Sequence, residues 1–215
     1  MCDVKGPGAV LSGTDHQHLL VVLGRSQELG FLGPGALEPQ IDRSLGFTAA
    51  IPPPETALDL GSGGGIPGLV LALAWPVSSW VLLDGSVRRC AFLKEAVDEL
   101  GLQDRVEVVA ARAEEAGRGV WRGSRDLVVA RSFGPAAVTA ECGAPFLKTD
   151  GHLVVAEPPG GAPERWPADS LAALGLELGP TLVDPVALQV LRQATPCPDR
   201  FPRRVGIPAK RPLFY

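Results

Sequence analysis

Two acidic residues and the glycines between them form the stretch of this sequence that is best suited to chemistry. Asp59 lies inside a short apolar segment, residues 57–60, and glycines follow it at positions 61, 63, 64, 65 and 68. Asp84 ends the next apolar segment, about 20 residues after the turn, where an acid can accept hydrogen bonds from ribose hydroxyls. Glycines permit positive φ angles and a close approach of the backbone to a ligand. The pattern predicts a strand, a glycine turn and a helix that together bind a nucleotide-like molecule.

The glycine spacing alone leaves alternatives open. Gly63-x-Gly65-x-x-Gly68 also fits a dinucleotide-binding fingerprint, and it is compatible with a tight turn that binds no ligand. Asp59, two residues before the first glycine, favours a different interpretation, because residues 59–65 resemble motif I of the class I S-adenosylmethionine-dependent methyltransferases. In that family the acid and the turn flank the methionine part of the cofactor. An NAD-dependent dehydrogenase fits less well, since neither Asp59 nor a closing pair of strands is typical of it.

The composition limits the classes of protein to which this chain can belong. The 215 residues are 46% hydrophobic, which suits one domain with at most a small appendage. No apolar run reaches roughly 18 residues and residues 1–7 lack the pattern of a signal peptide, so we expect no membrane segment. The cysteines lack a CxxC pair and are expected to be reduced thiols of a cytoplasmic protein: Cys2, Cys90, Cys142 and Cys197.

Charge and histidine usage narrow the possible partners. His16-x-His18 has no third ligand nearby, so we expect no metal site, and we expect a monomer. The net charge of −4 excludes a protein that is basic over its whole surface. Any binding of RNA must therefore come from a local patch.

The order of elements predicts an N-terminal helical cap over residues 1–54, a core over residues 55–195 and a basic tail over residues 196–215. Thr14 is the predicted N-cap of the first helix after irregular residues 1–13, residues 40–50 are the second helix, and three prolines end the cap. In the core, strands alternate with helices and a pair of strands closes the chain over residues 176–191. The sequence thus predicts an α/β, Rossmann-like fold with a mainly parallel seven-stranded sheet.

Parallel strands also predict where a ligand binds. Ligands of such sheets lie outside the carboxyl ends of the strands. The glycine turn, Asp84, the pair Ala113-Glu114 and Arg131 all follow strands at that edge. Their convergence supports a single site.

The tail differs in kind from the core. Residues 200–211 hold five basic residues and no acid: Arg200, Arg203, Arg204, Lys210 and Arg211. Prolines and a glycine argue against a regular helix there. Charge alone allows either a solvated, disordered end or a phosphate-binding arm on an acidic protein.

The motifs of the chain occur in an order that is typical of one known family. They are Asp59-Leu60-Gly61-Ser62-Gly63-Gly64-Gly65-Ile66-Pro67-Gly68, Leu83-Asp84 with Arg88-Arg89 and Phe92-Leu93 after it, Arg112-Ala113-Glu114-Glu115, Ala130-Arg131-Ser132-Phe133, and the tail. From Asp59 to about Val155, and again in the tail, the chain resembles the RsmG family, also called GidB. Its members are guanine-N7 methyltransferases of 16S, small-subunit ribosomal RNA.

The resemblance implies a cofactor, S-adenosyl-L-methionine, and a partner, ribosomal RNA or the small ribosomal subunit. It implies that Ala113 and Glu114 hold the adenine region, that Arg131 lines the cofactor and substrate pocket, and that Arg112 serves RNA binding. The cofactor-binding residues implied together are Asp59, Gly61, Gly63, Ile66, Asp84, Ala113, Glu114 and Arg131.

Guanine N7 carries an in-plane lone pair and no proton, so its methylation requires positioning and no general base. Arg131-Ser132-Phe133-Gly134 stands where an exocyclic-amine methyltransferase would carry Asn-Pro-Pro-aromatic, which agrees with N7. Arg131 is therefore the predicted catalytic residue, through positioning.

Two departures from the family pattern keep other functions open. The Asn-Leu-Thr and the later His of the N-terminal helices are missing, and Glu157-Pro158 replaces Lys-Gly after strand five. The second change reverses a charge close to the expected RNA. A small-molecule methyltransferase and a non-catalytic RNA-binding relative are the alternatives.

Overall fold

The computed structural model describes residues 11–215, a seven-stranded sheet with helices on both faces. Cys2 and the predicted irregular segment up to residue 10 lie outside the described residues. The helices are α1 (Gly13–Glu28), α2 (Glu38–Leu45), α3 (Gly68–Ala74), α4 (Val87–Glu99), α5 (Ala113–Ala116), α6 (Ala136–Gly143), α7 (Ala168–Ala172) and α8 (Ile207–Lys210). The strands are β1 (Thr56–Leu60), β2 (Ser79–Asp84), β3 (Val106–Ala110), β4 (Arg125–Ala130), β5 (Leu147–Ala156), β6 (Leu176–Leu182) and β7 (Leu188–Gln193).

The strand order is β3-β2-β1-β4-β5-β7-β6. Strands β1 to β5 pair in parallel, and β7 is antiparallel to both β5 and β6. The prediction of a mainly parallel, seven-stranded Rossmann-like sheet closed by a pair of strands is thus confirmed. The order reverses between β1 and β4, and this switch point opens a crevice at their carboxyl ends.

Alternation along the strands divides the core into two layers. Leu58 and Leu60 of β1 pack in one buried cluster with α6, whereas Ala57 packs in the other cluster with α1, α3 and α4. The period of two arises because successive strand side chains point to opposite faces. Both faces of β1 are therefore covered, and only its carboxyl end remains open to a ligand.

The N-terminal helices differ in detail from the prediction. Ser12, not Thr14, caps α1, and its Oγ accepts the Asp15 N–H at 3.1 Å. The second helix begins at Glu38 and ends at Leu45, where a 3₁₀ turn (Gly46–Ala49) continues it to the prolines. No helix in residues 11–215 is long and apolar enough to cross a membrane.

The basic tail packs on the core, and one turn of helix, α8, forms where the prolines argued against helix. Phe201 and Phe214 are buried in the cluster with α6. Arg203 binds the fully buried Glu141 through two side-chain bonds, Nε–Oε1 at 2.9 Å and Nη2–Oε2 at 2.6 Å. Two of the three guanidinium nitrogens of Arg203 are thus engaged by Glu141, which joins the tail to α6. The contact of Arg203 with RNA stays a prediction.

We expect Arg203→Ala to lower the free energy of unfolding by about 3–5 kcal/mol, because Glu141 would remain buried without a countercharge. The matched control is Arg204→Ala, since Arg204 is exposed and forms no ion pair within residues 11–215. Arg204→Ala should change the free energy of unfolding by no more than about 0.5 kcal/mol. Urea denaturation measures both, and equal stabilities would contradict a structural role for Arg203.

Candidate functional site

The first buried acid, Asp59, shapes the start of α3. Its Oδ2 accepts the Gly68 N–H at 3.0 Å. A Cβ on Gly68 would lie 2.5 Å from the same oxygen, so position 68 has no room for a side chain. Gly68, at the end of the motif, is therefore required for the close contact with Asp59, at its start.

The second acid, Asp84, joins the turn to β2. Its Oδ2 accepts the Gly63 N–H at 2.9 Å and its Oδ1 accepts the Ser86 N–H at 2.8 Å. The Gly61 N–H donates to Leu83 O at 2.8 Å. The turn is thus held against the carboxyl end of β2 by both backbone and side chain.

Close neighbouring atoms explain two of the glycines, and a positive φ explains a third. A Cβ at Gly61 would lie 2.6 Å from the Phe133 ring, and one at Gly64 would lie 2.6 Å from Ser26 Oγ. At Gly63 (φ 54°) the nearest atom would be 3.7 Å away. The positive φ therefore accounts for the glycine at position 63.

Asp59 and Arg131 carry buried polar atoms that lack partners. Among the described residues, neither Asp59 Oδ1 nor Arg131 Nη1 has a hydrogen bond. Buried polar atoms are nearly always hydrogen-bonded, so these two fit a site that receives a polar ligand.

Burial also shifts the pKa of both groups. It raises the pKa of Asp59 to about 7, to which the Asp84 charge adds, while the Gly68 N–H and the Arg131 charge oppose the rise. Burial lowers the pKa of Arg131, as does the charge of Arg43, while Asp59 opposes this. The site therefore holds an acid that titrates near neutrality beside a partly desolvated cation.

Two cavities meet at Arg131. The cofactor-side cavity, of about 550 Å³, lies over the glycine turn under residues 31–36. The aromatic cavity, of about 650 Å³, is lined by Phe47, Phe133 and Trp166. Both cavities are lined by Arg43, Arg131 and Ser132.

Ser132 shapes the boundary between the cavities. Its φ of 57° lies in the left-handed region, which is rare for a residue with a side chain. The bend separates Arg131, at the boundary, from Phe133, whose ring lies against Gly61.

The structure brings together only some of the predicted residues. Gly61, Gly63, Ile66 and Arg131 line the cofactor-side cavity, whereas Asp59 and Asp84 are buried and line neither cavity. Ala113 and Glu114 follow β3 at the same edge but line neither cavity. No group of three potential metal ligands occurs within residues 11–215.

Glu114 has a second partner that the sequence did not predict. Its Oε1 accepts the Gly206 N–H of the tail at 2.9 Å, while Arg112 Nε lies 3.7 Å from its Oε2. The carboxylate predicted to hold adenine thus also fixes the turn before α8. Arg112 itself is exposed.

Glu157 corrects an expectation about charge. Its side chain is fully buried, and it accepts hydrogen bonds from Arg165 Nη1 at 2.5 Å and Trp166 Nε1 at 3.1 Å. It therefore presents no free negative charge to a ligand, and the exposed group at this place is the Arg165 guanidinium.

The sequence motifs did not include several residues that line the two cavities. Residues 31–36 appeared only as a break between helices, and Arg43 and Trp166 belonged to no motif. Arg43 carried a weak signal, as a basic residue on a short helix before the core.

Comparison with known proteins identifies the family. The family model described as rRNA small subunit methyltransferase G matches residues 38–157. A protein of that name from Prochlorococcus marinus (strain NATL2A) is 36% identical over 74% of this chain and 67% of its own length. One from Moorella thermoacetica is 36% identical over 80% of this chain and 76% of its own.

Solved structures agree on the fold. A methyltransferase from Geobacter sulfurreducens superposes with a TM-score of 0.61 at 17% identity, over 82% of this chain and 90% of its own. The cofactor-bound Rv0187 from MTB gives a TM-score of 0.60 at 17% identity, over 83% of this chain and 90% of its own. Because the family model covers residues 38–157, more than half of the chain, and the two sequence relatives are 36% identical over 74% and 80% of it, this protein belongs to the rRNA small subunit methyltransferase G (GidB) family.

Proposed function

We propose that this protein transfers the methyl group of S-adenosyl-L-methionine to N7 of a guanine in 16S, small-subunit ribosomal RNA. The observation that carries the proposal is the pair of cavities that meet at Arg131, beside the glycine turn of a family that methylates this RNA. One cavity suits a cofactor and the other suits a base. Their shared wall is where a methyl group can pass between them.

The residues around the turn fit the cofactor. Gly61, Gly63 and Ile66 line the cavity with Arg131. The buried, unpartnered Oδ1 of Asp59 belongs to the strand that leads into the glycine turn. Asp84 is the candidate for the ribose, and Ala113 with Glu114 for the adenine region. S-adenosylmethionine supplies an electrophilic methyl group on a sulfonium.

The aromatic cavity suits the acceptor base. Its volume of about 650 Å³ lies in the usual range for small-ligand sites, and the partly exposed Phe133 offers a face for stacking. The one carboxylate at its wall, Glu157, is engaged by Arg165 and Trp166. This arrangement suits N7, which needs no proton removed, and leaves positioning to Arg131 at the boundary.

We expect calorimetry to detect binding of S-adenosylmethionine and not of NAD. Asp84→Ala should weaken cofactor binding by roughly 1–3 kcal/mol, the usual value of hydrogen bonds to a charged acceptor. Asp104→Ala is the control, since Asp104 is an exposed acid before β3, at the opposite edge of the sheet. An unchanged affinity in Asp84→Ala would exclude Asp84 as the ribose partner.

Cofactor affinity should rise with pH up to the pKa of Asp59, about 7, and then level off. A cation bound near this carboxyl favours its charged form and lowers its pKa, so binding releases a proton below neutrality. Asp59→Asn should flatten the profile. Titrations from about pH 5.5 to 8.5 measure it, and affinity that is equally pH-dependent in Asp59→Asn would contradict this role.

Arg131→Ala should reduce methyl transfer about 100-fold at saturating cofactor, because a misplaced acceptor loses alignment with the methyl group. Arg125→Ala is the matched control, since Arg125 begins the same strand at its other end and has a half-buried guanidinium. The assay is transfer of tritiated methyl to small subunits from a deletion strain, followed by nucleoside analysis. Label in 7-methylguanosine supports the proposal, and label confined to small metabolites would indicate a small-molecule methyltransferase.

A further inference from the structure

Arg165 lies where the aromatic cavity meets a third cavity beside the tail. This tail groove, of about 450 Å³, has Ala136, Arg165, Lys210, Phe214 and Tyr215 among its lining residues. The aromatic cavity is lined by Ala136 and Arg165 as well. The two spaces are therefore neighbours, with one guanidinium at their junction.

The buried carboxylate of Glu157 fixes the position of the Arg165 side chain. Glu157 is fully buried and accepts from Arg165 Nη1, while Trp166 Nε1 holds the other carboxylate oxygen. Arg165 ends a 3₁₀ turn, and the next residue, Trp166, is buried. A buried carboxylate thus holds the arginine side chain in one direction and reduces the entropy that it would lose on binding an anion.

The rest of the guanidinium remains available. The Arg165 side chain is 36% exposed, and its ion pair with Glu157 is its one hydrogen bond within the part of the chain that the structure describes. Arginine carries five donors in a planar fork, which suits a phosphate oxygen pair.

The tail groove has the composition of a single-strand site. Lys210 supplies a second cation, and the fully exposed Tyr215 offers an aromatic face beside Phe214. Cations along the backbone with aromatic rings for bases are the features that bind single-stranded nucleic acid. The groove is thus lined by apolar side chains together with two cations, Arg165 and Lys210.

We propose that the RNA strand runs from the aromatic cavity over Arg165 into the tail groove, so that Arg165 binds the phosphate next to the acceptor nucleotide and the groove receives the adjoining nucleotide. This inference rests on the proposed function. It gives the tail two roles, since Arg203 and Gly206 fix it to the core while Lys210 and Tyr215 face the RNA. The path is short, because both cavities share the same arginine.

The test measures the dissociation constant of an unmethylated 16S rRNA transcript across a range of salt concentrations. Because Arg165→Gln alone would leave Glu157 buried and unpaired, the diagnostic variant is the double change Glu157→Gln with Arg165→Gln. We expect it to weaken RNA binding about tenfold and to flatten the slope of log affinity against log salt by about 0.7–0.9, the value of one phosphate contact. Cofactor affinity should not change.

Three further variants make the result specific. Arg165→Lys should keep the wild-type slope of log RNA affinity against log salt, since a cation remains. Lys210→Gln should flatten the slope by a similar amount without touching the core. Arg192→Gln should leave RNA binding unchanged, because Arg192 is 41% exposed, is paired with Asp150 and Glu177, and lines none of the three cavities.

The outcomes separate this inference from the proposed function. If the wild-type protein methylates the transcript but the double variant and Lys210→Gln bind it as Arg192→Gln does, the strand does not follow this path. If the wild-type protein binds cofactor but transfers no methyl group to rRNA, the proposed function itself fails. If the double variant unfolds, Lys210→Gln provides the test. An unchanged salt slope in Lys210→Gln would then overturn the proposed path.

Discussion

The structure depends on buried carboxylates that each hold one segment at the carboxyl edge of the sheet. Asp59 binds the Gly68 N–H and Asp84 binds the N–H groups of Gly63 and Ser86, so the glycine turn is fixed from two strands. A carboxylate in a low-dielectric interior is costly unless it is paired or hydrogen-bonded. Each of these acids therefore specifies where its partner segment must lie.

The same arrangement recurs away from the turn. Glu114 accepts the Gly206 N–H, Glu141 binds Arg203, and Glu157 binds Arg165. The first two join the tail to α5 and α6, and the third joins the segment after β5 to the wall of the aromatic cavity. Loops around a sheet edge have few apolar contacts of their own, so directional bonds to buried acids supply the precision that packing does not.

Local patterns in the sequence were sufficient for the sheet and for the floor of the site. Alternating strands and helices, Ser86 as a cap and the spacing from Asp59 to Gly68 are short-range signals, and the strands and the turn follow them. The glycine pattern could not reveal that Phe133 fills the space beside Gly61, because that contact joins residues far apart in the chain. For the same reason the pairing of Arg203 with Glu141 and of Glu114 with Gly206 could not be found by spacing. A run of basic residues looked like a free arm, and only its pairing with distant acids shows which cation is committed to the fold.

The pairing of buried acids also resolves the conflict between an acidic protein and an anionic substrate. The net charge of −4 counts every carboxylate, but a carboxylate inside the fold and bonded to an arginine or a backbone N–H contributes little field at the surface. At the carboxyl edge Asp59, Asp84 and Glu114 are buried. The exposed side chains there include the cations Arg43, Arg112 and Lys210 as well as the acid Glu115. What an approaching phosphate encounters is the local distribution of charge within about 10 Å, since salt screens the rest. An acidic chain can therefore present a cationic edge to RNA, provided that its acids on that side are used to build the fold.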